Sequence, residues 1–137
     1  MTSNKPTHAG HCHCGAVRYV VSGNPESVAL CHCGDCRRAA GAPVVAWAMV
    51  DDAQLSVTQG APKVRNSSGA AMRSFCGDCG SGLFYCNADV LPGKVDVQVA
   101  TFEHPEVIAA QAHIQVAERL PWMAQAHTLP AFERYPG

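Results

Sequence analysis

Short apolar and β-branched segments, separated by turn residues, recur along the chain and predict strands. In residues 94–99 polar and apolar side chains alternate, so one face of this strand should be buried and the other exposed to water. Residues 43–50 are continuously apolar, which is typical of a strand buried on both faces. Shorter or weaker patterns of the same kind predict further strands at 16–21, 28–31, 54–58, 63–65, 70–75, 82–86 and 111–116.

Helix is scarce in this pattern. Residues 35–40 could form one or two helical turns, which Gly41 and Pro43 would end. The strands at 70–75 and 82–86 flank a segment with two glycines, and this arrangement predicts a hairpin. We therefore predict an all-β fold of short antiparallel sheets with very little helix. The first nine residues and about the last six should be loosely packed tails.

Length and composition narrow the possible functions. A chain of 137 residues suits a single domain, 1–137, and its 12 glycines and 9 prolines suit a fold rich in turns. The formal net charge of −1 provides no basic field for binding nucleic acid. No apolar run approaches the roughly 18 residues of a membrane span. The polar N-terminus lacks the apolar core of a secretory signal, so we expect a cytoplasmic protein; the sequence does not indicate an oligomeric state.

Clustering of the cysteines is the strongest chemical signal in the sequence. A structural zinc site takes four nitrogen or sulfur ligands, and two cysteines one or two residues apart can meet one ion through a local turn. The first and third groups together supply four sulfurs, enough to close a structural site, whereas the middle group supplies three and would leave one position for water or substrate. We therefore predict two zinc ions per chain. The three groups are Cys12 and Cys14; Cys31, Cys33 and Cys36; and Cys76 and Cys79.

Two other uses of clustered cysteines compete with zinc. Disulfide bridges are disfavoured, because cysteines in a reducing cytoplasm are more often metal ligands or catalytic groups. An iron–sulfur cluster is the remaining alternative, since groups of thiolates also hold iron.

The residues around the middle group suggest a site open to a small molecule. The three negative charges of these thiolates exceed the two positive charges of one zinc ion. Arg37 and Arg38 directly follow Cys36 in the sequence. They could balance the excess charge, bind an acidic substrate or lie on the surface. His32 could be a fourth ligand, a proton carrier or a solvent-exposed residue. No other carboxylate or histidine is placed as a catalytic base by the sequence, so His32 and Asp35 are the only nearby candidates.

Three further residues have bulky or reactive side chains. Cys86 lies outside the groups in an apolar run, where it would be a small buried hydrophobic residue. Trp47 should pack in the core, and Trp122, in a less regular segment, could form a pocket rim or an interface.

The ordered motifs resemble those of the glutathione-dependent formaldehyde-activating enzyme family. They read C-x-C-G-x-V-R-Y from Cys12, C-H-C-x-x-C-R-R-x-x-G-A-P from Cys31 and S-F-C-x-x-C-G-x-x-L from Ser74. Two later segments, at 112–114 and 120–122, are similar to the C-terminal pattern of that family. The resemblance covers almost the whole chain, from Cys12 to Tyr135.

This resemblance implies a β-tent, an all-β fold with two zinc sites. It assigns the first and third cysteine groups to a structural zinc, and the middle group, Cys31, Cys33 and Cys36, to a catalytic one. The implied activity joins formaldehyde and the thiol of glutathione into S-hydroxymethylglutathione, and in reverse it is a carbon–sulfur lyase reaction.

Two hypotheses of different classes follow. The first is a zinc-dependent carbon–sulfur lyase that acts on the adduct of an aldehyde with a thiol such as glutathione, with Arg37, Arg38 and His32 as candidate substrate contacts. The second is a non-catalytic zinc module that binds such a thiol or a protein partner.

Overall fold

Two β-sheets form the protein, as seen in a computed structural model that describes residues 5–137. The strands are β1 (Thr7–His11), β2 (Arg18–Ser22), β3 (Ser27–Cys31), β4 (Val45–Asp51), β5 (Leu55–Gln59), β6 (Lys63–Ser68), β7 (Ala71–Phe75), β8 (Gly82–Asn87), β9 (Lys94–Gln98) and β10 (Ala112–Ile114). The smaller sheet has the strand order β1-β2-β5, and the larger one has the order β10-β3-β4-β9-β8-β7-β6. The prediction of a mostly β fold is confirmed.

One α-helix, α1 (Gly34–Ala40), follows β3 within the described residues. The Cys33 sulfur caps its first turn by accepting the Cys36 N–H, and Gly41 ends it in the left-handed conformation at φ 63°. The predicted short helix and its glycine stop are therefore confirmed. Short 3₁₀ turns make up the remaining helical structure, and they lie at Asp52–Gln54, Val99–Thr101, Pro105–Val107, Val116–Glu118 and Pro121–Thr128.

Burial along the strands follows the hydrophobic pattern. In β9 the buried residues alternate with less buried ones, as its sequence predicts. The strand β4 lies between β3 and β9 and is buried along most of its length. The strands β7 and β8 form the predicted hairpin, with the third cysteine group in its loop.

Two details of the strands differ from the prediction. The strands pair in antiparallel fashion as predicted except at one edge, where β10 runs parallel to β3. The expected N-terminal tail of nine residues is also too long, since Thr7–His11 forms β1 and pairs with β2 in antiparallel register. Residues 1–4 of that tail lie outside the described residues. Pairing with β2, rather than local β-propensity, makes β1 a strand.

Tyr19 is at the centre of the main core. Its ring lies edge-on to Phe84 and Phe102, and its hydroxyl is 2.7 Å from the Thr101 hydroxyl. A Cβ at Gly10 would meet the Tyr19 ring at 2.3 Å, so β1 can lie across this ring only with glycine there. This packing fixes the end of β1, from which the first cysteine group follows.

None of the helices in residues 5–137 is long and apolar enough to cross a membrane.

Candidate metal centres

The first and third cysteine groups meet in space. Cys12 and Cys14 follow β1, whereas Cys76 and Cys79 lie in the loop of the β7–β8 hairpin. The Sγ atoms of these four residues all lie within 4.8 Å of one another. Two separations are 3.7 Å, between Cys12 and Cys14, and 3.8 Å, between Cys14 and Cys76. Zinc–sulfur bonds of about 2.3 Å at tetrahedral angles require separations of this size, so the group fits a four-sulfur metal site.

Protein hydrogen-bond donors face the sulfurs of this four-cysteine group. The Val17 N–H donates to Cys12 Sγ at 3.3 Å. The Ser81 hydroxyl lies 3.2 Å from Cys79 Sγ, and this hydrogen bond is the largest of several that together lower the pKa of Cys79 to about 5. Donors of this kind stabilise thiolates and orient metal ligands.

The middle group is assembled at the junction of β3 and α1. Cys31 ends β3, Cys33 caps the helix, and Cys36 lies in its first turn. The three Sγ atoms lie within 4.8 Å of one another, and no histidine nitrogen or carboxylate oxygen of residues 5–137 completes the set. The group therefore fits a metal ion bound by three protein ligands, with one position left over.

Hydrogen bonds to Cys36 favour its thiolate form. The Cys31 thiol is the largest contributor, and together with Cys33 and Arg73 it lowers the pKa of Cys36 to about 5. The Arg73 Nη2 atom lies 3.7 Å from Cys36 Sγ. The same interaction raises the pKa of Cys31, so one proton is held on Cys31 while Cys36 carries the negative charge. Metal binding would displace that proton, because metals bind the thiolate.

The middle group opens onto a cavity of about 390 Å³, which we call the thiolate cavity. This volume is within the range of small-molecule sites. Besides the cysteines of the middle group, the wall of this cavity contains three carboxylates, one arginine and two aromatic rings. These six residues are Asp35, Asp96, Glu118, Arg73, Trp47 and Tyr85.

Asp96, on β9, is a carboxylate that sequence reasoning did not single out. Burial, followed by the nearby negative charge of Cys36, raises the pKa of Asp96 to about 6. In the sequence Asp96 is a polar residue of an alternating strand, and this position predicts a side chain that faces the solvent. Here Asp96 is partly buried and lines the thiolate cavity.

The three residues predicted as substrate contacts lie elsewhere. Arg37 and Arg38 do not line the thiolate cavity; with Trp122 they border a separate shallow groove. The Arg37 Nη1 atom donates to the carbonyls of His32 and Glu118, each at 2.6 Å, and so ties α1 to the C-terminal part of the chain.

His32 is buried rather than exposed and is not part of the three-sulfur set. Its Nε2 atom lies 2.9 Å from Nδ1 of His113 on β10, and burial lowers its pKa. This contact links the residue that follows β3 to β10.

The cysteine and tryptophan predictions have mixed outcomes. All eight cysteines are free, as expected of metal ligands and not of a disulfide framework. Cys86 is only partly buried and packs against the main core. Trp47 is buried but also lines the thiolate cavity, whereas Trp122 is 56% exposed at the rim of its groove.

Comparison with known proteins agrees with this geometry. The family model described as glutathione-dependent formaldehyde-activating enzyme matches residues 7–118. The chain belongs to this family. The crystal structure of a Rhodobacter sphaeroides protein is similar, with a TM-score of 0.61 and 27% sequence identity over 77% of this chain and 98% of that one. No curated protein sequence matches the chain.

Membership of this family and the two cysteine groups together support two metal sites in a protein associated with formaldehyde activation and a thiol partner.

Proposed function

We propose that this member of the formaldehyde-activating family is a zinc-dependent carbon–sulfur lyase that forms and cleaves the adduct of an aldehyde with a small thiol such as glutathione. The observation that carries the proposal is the three-thiolate group at the thiolate cavity, because three protein ligands leave one position for a substrate. In this proposal Cys31, Cys33 and Cys36 hold the catalytic zinc, and Cys12, Cys14, Cys76 and Cys79 hold the structural one. Since these thiols must stay reduced, the proposal includes a cytoplasmic location.

The reaction requires little beyond binding and proton transfer. In the forward direction the thiol sulfur forms a bond to the carbonyl carbon, and the proton lost by sulfur ends on the former carbonyl oxygen. The reverse reaction breaks the carbon–sulfur bond and returns that proton. Zinc in the three-cysteine site would supply a positive charge that favours the thiolate form of a bound thiol.

The residues of the chain supply the remaining chemistry. Asp96 lines the same cavity as the three cysteines, and its raised pKa suits a group that accepts and returns a proton near neutral pH. The rings of Trp47 and Tyr85 exclude water from one side, which strengthens electrostatic interactions at the sulfurs.

The direct test is the rate of exchange between formaldehyde, thiol and adduct, measured by nuclear magnetic resonance with a panel of thiols and aldehydes. The wild-type protein should accelerate exchange, and Cys33→Ser should abolish the acceleration. The matched control is Cys86→Ser, which removes a cysteine outside both groups and should keep the activity. A wild-type protein that binds thiols without accelerating exchange would contradict the lyase and favour a thiol-binding module.

A further inference from the structure

Two arginines face each other on the β6–β7 hairpin. Arg65 on β6 and Arg73 on β7 are directly paired in the antiparallel register. Both line a second cavity of about 290 Å³, which we call the arginine cavity. Like charges directly opposite each other on neighbouring strands destabilise a sheet unless something compensates them. A bound negative charge would relieve this repulsion.

Within residues 5–137 no carboxylate forms a salt bridge with either arginine. Arg73 is only 8% exposed, and its contacts are Ser67 Oγ, Cys36 Sγ and the face of the Tyr85 ring. A guanidinium is almost never this buried without a partner of opposite charge. The Cys36 thiolate can balance one positive charge of the pair, which leaves the other unbalanced.

The arginine cavity adjoins the thiolate cavity, and the two differ in charge. They share Trp47 and Arg73 as common wall residues. The wall of the thiolate cavity contains three carboxylates in addition to the thiols, whereas the wall of the arginine cavity contains two arginines and no acidic residue. A molecule that extends across both cavities would therefore have its negative end in the arginine cavity. The rings of Phe75 and Phe84 line that cavity and could pack against an apolar stem.

We propose that the arginine cavity binds a carboxylate of the substrate, so that the enzyme selects thiols that carry a carboxylate. Arg73 links the two ends of such a ligand, because its Nη2 atom contacts Cys36 while its side chain borders both cavities. Arg65 lies on the solvent side and completes the site for the anion. Guanidinium groups suit this task, since they bind carboxylates through two parallel hydrogen bonds. That the other end of this ligand is a thiol bound at the middle cysteine group rests on the function proposed above.

The competing explanation is that Arg73 only balances the charge of Cys36. That role would need Arg73 but not Arg65, and it would affect all thiols equally. The preference for a charged over a neutral thiol therefore separates the two explanations.

The test uses N-acetylcysteine and its uncharged amide, N-acetylcysteinamide, which have the same thiol and nearly the same size. Their dissociation constants are measured on the cobalt-substituted protein from changes in its ligand-field spectrum. The variants are Arg65→Gln, Arg73→Gln and, as a control for lost charge, Arg134→Gln. Arg134 is exposed, and among the described residues its side chain donates only to the neighbouring Glu133 carbonyl.

The wild-type protein and the control should prefer the charged thiol. Arg65→Gln should reduce this preference about threefold, as expected of a partly exposed ion pair, with no change for the amide. Arg73→Gln should reduce it by about tenfold or more, because charge-assisted hydrogen bonds at buried sites are stronger. A wild-type protein without preference, or an Arg65→Gln variant that keeps the wild-type preference, would overturn the proposal.

A second titration separates this proposal from the lyase function. N-acetylalanine has the carboxylate but no thiol, and its binding is followed by chemical-shift changes in the protein. Binding that weakens in Arg65→Gln supports the carboxylate site even if no thiol changes the cobalt spectrum, in which case only the thiol chemistry fails. Shifts of equal size in Arg65→Gln and in the wild type would count against the carboxylate site.

Discussion

At the scale of single residues, one cysteine sulfur in each group differs in its surroundings from the sulfur of Cys86, outside the groups. Cys36 and Cys79 accept hydrogen bonds that lower their pKa values to about 5. For Cys86 burial raises the pKa, and the nearby Asp52 and Asp96 act in the same direction. The thiolate is the form that binds metals, so the surroundings favour that form at one cysteine of each group and keep Cys86 as a thiol.

Asp96 provides a prediction in which stability and activity change in opposite directions. Its pKa of about 6 in the folded state, against an ordinary value of 3.8, means that its charged form destabilises the fold above pH 6. This destabilisation is relieved as the pH falls from about 6 towards 4. Asp96→Asn should therefore raise the free energy of unfolding at pH 8, by up to ~3 kcal/mol, with the gain vanishing below about pH 4.

The same substitution should lower kcat about a hundredfold, as is common when a proton-transferring group is lost. Unfolding is measured by denaturant titration at several pH values, and activity by the exchange assay. Asp89→Asn, at an exposed carboxylate outside the thiolate cavity, is the matched control. An Asp96→Asn variant of wild-type activity would exclude Asp96 from the proton transfer.

Arg37 tests the sequence-based assignment of a substrate contact. The Arg37 Nη1 atom donates to two carbonyls, one before α1 and one near the end of the chain. Arg37→Ala should lower the free energy of unfolding by about 2 kcal/mol, because both carbonyls lose a charged donor. It should leave the preference for a charged thiol unchanged.

The control for this substitution is Arg38→Ala, whose exposed side chain makes no hydrogen bond among the contacts of the described residues. We expect its effect on unfolding to be within about 0.5 kcal/mol. A loss of thiol preference in Arg37→Ala would restore the original assignment.

At the scale of elements, each cysteine group joins parts of the chain in a different way. The four-cysteine group connects the end of β1 to the β7–β8 hairpin, and these elements belong to different sheets. The three-cysteine group is local, because all of its sulfurs come from the end of β3 and the start of α1. A metal in the first group would therefore hold the two sheets together, whereas a metal in the second would bind to a segment that is already folded.

This difference predicts separate outcomes for two cysteine substitutions. Cys76→Ser should give an unstable or insoluble chain, because the binding free energy of a structural zinc is comparable to the total stability of a domain. Cys33→Ser should give a folded protein that has lost one zinc and its activity. The measurements are soluble yield, thermal unfolding and zinc content by elemental analysis. Equal destabilisation by both substitutions would mean that both sites are structural.

Local patterns were enough to predict part of the fold. The alternation in β9, the apolar run of β4 and the glycine stop of α1 are all sequence-local signals, and all three are confirmed. The strand β1 has no such signal, because its sequence Thr-His-Ala-Gly-His is not β-rich and depends on its partner β2. The parallel edge strand β10 was also unpredictable, since pairing direction depends on the path of the intervening chain.

Part of the candidate site can likewise be predicted from the sequence, and part of it cannot. Both cysteine groups follow from spacing, and their assembly into sets of four and three agrees with the prediction. Arg65, Arg73 and Asp96 were missed because each lies in a strand where a charged residue normally faces water. Packing around the middle group places Asp96 and Arg73 at the thiolate cavity, whereas Arg65 stays exposed and lines the arginine cavity as the cross-strand partner of Arg73.

At the scale of the whole molecule, the two cysteine groups occupy different places in one small fold. The four-cysteine group joins elements of the two sheets, and the three-cysteine group lines the thiolate cavity, which shares Arg73 with the arginine cavity. We therefore propose that the fold combines a stabilising metal site with a reactive one, and the central claim is that the second metal keeps one position for a thiol.

X-ray absorption at the zinc edge tests this claim most directly. The purified protein should contain two zinc ions per chain with an average of about 3.5 sulfur ligands each, because one site has four cysteines and the other three. Addition of glutathione should raise the average to about 4 as its sulfur takes the remaining position. An average that stays at 3.5 with glutathione, or that is already 4 without it, would contradict the account.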